Sequence, residues 1–148
     1  MQEINENKNK LLFQIRITVN DELAKQINNK NEFFINSELS KIMKDNNAEL
    51  ICQYFAFENF VKESERNKET ENALYRWTLA TIKDENKKKK YLNSFTIYVC
   101  GSQIYEKKVA DKLESLIRNL NYKSIKYIFK HDTNPKNNPQ PPKEFLSS

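Results

Sequence analysis

The sequence predicts an α+β fold: a small mixed or antiparallel sheet of about four strands, including one β-hairpin, with helices packed on one face. Three observations lead there. Leu11, Phe13, Ile15, Ile17 and Val19 alternate with Leu12, Gln14, Arg16 and Thr18, the period of a strand buried on one side. Tyr105, Val109, Leu113, Leu116, Ile117 and Leu120 recur at helical spacing and trace an amphipathic helix. Residues 73–82 and 91–100 are both rich in β-branched and aromatic side chains and flank the polar run KDENKKKK, which reads as an antiparallel hairpin.

The elements follow in order. Residues 1–10 are polar and aperiodic, a flexible lead-in, and the domain is expected over 11–132. After the first strand, Asn20 is placed to cap a short helix with Asp21 and Glu22 at its positive end and Leu23 and Ile27 one turn apart. Asn28-Asn29-Lys30-Asn31 ends it. Ser37 opens a second short helix with Leu39, Ile42 and Met43 on one face and Asn46-Asn47 as its stop.

Residues 48–61 carry two signals. Tyr54, Phe55, Phe57 and Phe60 favour a strand by propensity, whereas Leu50, Tyr54, Phe57 and Val61 fall at helical spacing. Fourteen residues without a turn signal are long for one strand, so a helix is expected. KESERNKETEN, with seven charges in eleven residues, reads as a solvated helix end or loop. In the hairpin, Tyr75, Trp77 and Leu79 line one face of the first strand, and Phe95, Ile97 and Val99 one face of the second. Gly101 then turns the chain and Ser102 caps the long helix. A last strand runs from Ile125 to Lys130. Residues 133–148 form a proline-rich tail, extended because four prolines fall within eight residues.

Composition bounds the function. The chain has 148 residues, 38% of them hydrophobic, enough for one globular core. Its single glycine contrasts with a usual share of roughly 7%, and neither GxGxxG nor GxxxxGK[ST] can be written. Functions built on glycine-lined phosphate loops are excluded. No apolar run approaches the roughly 18 residues of a membrane span, and the N-terminus lacks a hydrophobic signal core, so a cytoplasmic or nuclear location is expected. Cys52 and Cys100 are too few for a disulfide framework and lie outside any CxxC or Cys/His cluster, so both are read as buried thiols. The net charge of +5 favours acidic partners such as nucleic acid, although the same lysine and asparagine bias follows from an AT-rich coding sequence.

Four constellations are candidates for function. Lys87, Lys88, Lys89 and Lys90, with Lys83 nearby, project at the predicted hairpin tip, where a basic finger can meet phosphates or an acidic partner. Tyr54, Phe57 and Phe60 offer an aromatic docking patch or a core cluster. Phe145 and Leu146 lie behind the prolines of the tail, the arrangement of a short linear docking motif. Cys100, Ser102 and His131 are the nucleophilic and acid–base groups. His131 and Asp132 are adjacent on a strand, point to opposite faces and so form no simple dyad.

Two resemblances accompany these residues. The order helix, Asn46-Asn47 turn, helix, hairpin resembles a winged-helix DNA-binding domain with Lys87–Lys90 on the wing. Glu49 and Glu58, with many large apolar groups, would make its second helix a poor groove reader. TIYVCGSQIYEKKVADKL resembles the strand, Cys-Gly turn and helix near the nucleotide end of ferredoxin-reductase-type enzymes over residues 96–113. The glycine-rich phosphate loop of that family has no counterpart here, and no residue role is carried over.

No metal cluster, paired-carboxylate motif or cofactor loop stands out, so no catalytic, cofactor or metal site is expected. The first expectation is therefore a non-catalytic binding or adaptor subunit of a larger assembly, with protein subunits as partners, docking through the basic hairpin, the aromatic patch and the tail. A nucleic-acid-binding domain using the lysines is the alternative, and a small enzyme using Cys100 or His131 the second.

Overall fold

The computed structural model describes residues 11–132. Its elements are β1 (Leu12–Val19), α1 (Asp21–Asn28), α2 (Glu32–Ile35), α3 (Glu38–Asp45), β2 (Ala48–Cys52), α4 (Gln53–Arg66), α5 (Ala73–Lys83), α6 (Glu85–Leu92), β3 (Ser94–Val99), β4 (Tyr105–Glu106), α7 (Lys107–Arg118) and β5 (Ile125–Asp132). The fold is α+β, an antiparallel sheet with helices.

β1 lies at the centre, antiparallel to β3 through Ile15↔Ile97 and Ile17↔Phe95. Its other edge pairs with β5 from Phe13↔Asp132 to Val19↔Ile125. β2 extends the sheet beyond β3, with Leu50 opposite Ile97. The two-residue β4 takes over from β3 beside Leu12 and Phe13. With β4 as a continuation of β3, the order β2-β3-β1-β5 is that of a split β-α-β, or ferredoxin-like, arrangement. Here α4, α5 and α6 are inserted between its second and third strands.

Tyr105 closes the join where β3 gives way to β4. Its buried hydroxyl accepts from Ile15 N at 2.9 Å and donates to Ile97 O at 2.8 Å, serving backbone groups on two strands.

One face of the sheet builds the core. Ile15, Ile17, Val19, Phe95 and Ile97 are sealed under Leu23 and Ile27 of α1, Leu39 and Met43 of α3, and Ala110, Leu113 and Ile117 of α7. Leu113 is fully enclosed, so truncation to alanine should cost roughly 2–5 kcal/mol. Local signals agree with this packing. Asn20 Oδ1 accepts from Leu23 N at 2.9 Å, and Ser37 Oγ from Ser40 N at 3.2 Å. On the outside, Lys130 of β5 joins α7 by donating to Asp111 at 2.6 Å and Glu114 at 3.2 Å.

Three expectations are corrected. Residues 73–83 are helix α5, not a hairpin strand, because Asn72 Oδ1 caps Tyr75 N at 2.8 Å and Leu74, Trp77, Thr78 and Thr81 share a helical face. KDENKKKK is no turn: Asp84 Oδ1 accepts from Asn86 N and Lys87 N and starts α6, so Lys87–Lys90 stand on a helix. The basic hairpin, and with it the winged-helix comparison, falls. Residues 48–61 hold both signals in succession: Leu50 and Cys52 pair in β2, then Tyr54, Phe57 and Val61 keep helical spacing in α4.

The turn after β3 also differs. Gly101 makes it, at φ +79°, but α7 begins at Lys107 and Ser102 instead bonds within the loop to Ile104. Cys52 is buried as expected, whereas Cys100 is exposed. Residues 1–10 and the tail with Phe145 and Leu146 lie outside the described residues. No helix of the described residues is long and apolar enough to cross a membrane.

Candidate functional site

The second face of the sheet is polar and aromatic. Alternation sends Gln14, Arg16 and Thr18 of β1 to the side opposite Ile15 and Ile17, and register places His131, Phe129 and Tyr127 of β5 directly beside them. These three rings form a row: Tyr127 and Phe129 are 6.0 Å apart at 25°, and Phe129 and His131 5.8 Å apart at 28°. Tyr127 is 60% and Phe129 45% exposed, too much for core side chains.

α4, α5 and α6 cover the rest of this face and leave a cleft of about 420 Å³, within the roughly 300–1,000 Å³ of small-ligand sites. The sheet contributes Gln14 and Arg16 to its lining, α5 contributes Trp77, Thr78 and Thr81, α4 contributes Gln53 and Phe57, and α6 contributes Tyr91. Gln53 Nε2 donates to Thr96 Oγ1 at 3.4 Å, tying α4 to the sheet. Phe57 and Tyr91 meet edge to face at 5.0 Å. Gln14 Nε2 donates to Gln103 O at 3.0 Å and so holds the loop that brings Ile104 to the rim.

Arg16 and Asp132 are the charged residues that line the cleft. Arg16 Nε donates to Gln14 Oε1 at 2.7 Å, an uncharged amide that leaves the positive charge in place. Burial lowers its pKa, partly offset by the nearby Tyr91 and Tyr98. Its terminal nitrogens present the planar fork that binds carboxylate or phosphate in two parallel bonds. His131 belongs to both the row and the cleft wall. Burial and the Arg16 charge lower its pKa, partly offset by Asp132, and the net lowering favours the uncharged ring. Asp132 also lines the cleft and is engaged in contacts of its own.

The residues singled out from the sequence fall around this site unevenly. Phe57 lines the cleft, Phe60 is half-buried, and Tyr54 is buried with the Lys88 ammonium 5.4 Å from its ring centre. Lys90 stands likewise 5.4 Å from the ring of Tyr91, a cleft residue, while Lys83, Lys87 and Lys89 are exposed on the same helical cover. Cys52 is buried and its thiol pKa raised by burial. Among the described residues no three His, Cys, Asp or Glu side chains gather as metal ligands. Arg16, Trp77, Tyr127 and Phe129 were not singled out as site residues. The signal was present in β5, where Tyr127, Phe129 and His131 recur at i, i+2 and i+4, but which strand lies beside them is not a local property.

No protein-family model, curated protein or solved structure matches this chain.

Proposed function

We propose that this chain is a non-catalytic binding module, a subunit of a larger assembly in the cytoplasm or nucleus, whose partner is single-stranded nucleic acid on the polar face of the sheet. The observation that carries this reading is the row of rings beside Arg16, in which Tyr127 and Phe129 are exposed and His131 is half-buried. Aromatic rings on an open sheet are stacking platforms for unpaired bases, and every base has a π-face to offer. The net charge of +5 and the lysines of α6 supply an electrostatic frame for phosphates. A protein partner fits this surface less well, since lysine is depleted at protein interfaces.

Fluorescence anisotropy of labelled oligouridylate and oligothymidylate, titrated with the full chain at two salt concentrations, tests the proposal. Binding should weaken steeply with salt. Reversing Lys87, Lys88, Lys89 and Lys90 to Glu should abolish it, and unchanged affinity in that variant refutes the reading. Affinity purification with and without nuclease separates the two partner classes: protein partners that survive nuclease support an adaptor, whereas partners lost with the nucleic acid support the strand.

A further inference from the structure

We propose that the cleft holds one terminal nucleotide of the bound strand, with its phosphate on the Arg16 fork and its base against the rings of Trp77, Phe57 and Tyr91. The choice of a nucleotide over other planar anions rests on the strand-binding reading above. The geometry of the cleft stands apart from it.

Three features converge. The cleft is walled by rings on α4, α5 and α6, surfaces that accept a flat group. A half-buried guanidinium lines the cleft with an amide as the hydrogen-bond partner of its Nε, and the carboxylate that shares the lining, Asp132, is engaged in contacts of its own, so the guanidinium is the group an incoming anion would meet. A flat group carrying an anion is the description of a nucleotide. Finally, His131, half-buried, is at once the last ring of the row and part of the cleft lining, so a strand stacked on the exposed Tyr127 and Phe129 leads its end into the cleft.

Trp77 is the only tryptophan of the chain, so its fluorescence reports on the cleft alone. Uridine or adenosine monophosphate titrated into the full chain should change this emission saturably. The matching nucleoside, without the phosphate, should bind about 10- to 100-fold more weakly, the difference made by charge-assisted hydrogen bonds. Arg16→Gln should bring the monophosphate down to the affinity of the nucleoside. Should that variant fail to fold, the comparison of the two ligands on the wild-type chain decides alone. Equal affinity for nucleoside and monophosphate, or equally tight binding of benzoate, overturns the proposal.

Trinucleotides with and without a terminal phosphate distinguish a strand end from a free nucleotide. Tighter binding of the phosphorylated strand, with a Trp77 response, supports the terminal nucleotide, and a response to the free monophosphate alone overturns that part. The two readings fail differently. Oligouridylate that gains anisotropy without disturbing Trp77 leaves strand binding standing and overturns the cleft proposal. Monophosphate binding without strand binding overturns the strand and retains a nucleotide cleft.

Discussion

Replacing Tyr105 with phenylalanine removes one oxygen atom and tests the join on which the site depends. That hydroxyl is the partner of two buried backbone groups, Ile15 N and Ile97 O, on neighbouring strands. Leaving a buried polar group unpaired costs about 1–3 kcal/mol, so two would cost roughly 2–6 kcal/mol. Ile15 and Ile97 stand opposite one another in the ladder, and closure of the strands would recover part of that. The expected loss is therefore about 2–4 kcal/mol, a large share of the roughly 5–15 kcal/mol of a whole domain. Urea unfolding monitored by circular dichroism measures it as a lower midpoint at constant slope. A loss below about 1 kcal/mol would refute the claim that the hydroxyl, rather than packing of the ring, secures the join. The pH dependence has a definite sign. Burial pushes the Tyr105 pKa up to about 12, above its ordinary value of 10. The stabilisation is then fully present below pH 10 and is lost as pH rises toward 12, so the gap between Tyr105 and the phenylalanine variant should be constant at lower pH and narrow only in that alkaline window.

Other expectations follow from the polar face. Phe129→Ala, at a residue 45% exposed, should fold normally yet weaken single-strand binding about 5- to 150-fold, the worth of one stacked base, as read by anisotropy. Changing Lys87–Lys90 to Gln should flatten the plot of log affinity against log salt by about 0.7 for each phosphate that these lysines neutralise. His131 has its pKa lowered by burial and by Arg16, so the unfolded chain takes up a proton more readily and stability should fall as pH drops below about 6.5. His131→Gln should remove that component of the slope in thermal melts.

Much of the fold was legible because it is written in local physics. The alternation of β1, the Asn20 and Ser37 caps and the apolar stripe of α7 each depend on residues within one or two turns of each other. The hairpin expectation failed where local content misled. Residues 73–83 are aromatic and β-branched because they wall a cleft, and Asn72 and Asp84, both good caps, were the signals that marked the two helices. The run of lysines served the helix itself, since lysine is a good helix former.

By itself, then, the sequence determined an α+β chain with a buried strand near its start, an amphipathic helix near its end, a surplus of positive charge and no glycine-lined phosphate loop. Only the tertiary structure decided that β5 returns to the free edge of β1, bringing Phe129 beside Arg16, and that α4–α6 fold back over the same face and place Trp77 in the cleft lining. The reason is physical: helical and strand periods are set over a few residues, whereas strand order and the placement of an inserted helical cover are set by interactions that span most of the chain. A cleft lined by positions 14, 16, 53, 77, 91 and 131 exists only once those interactions have formed.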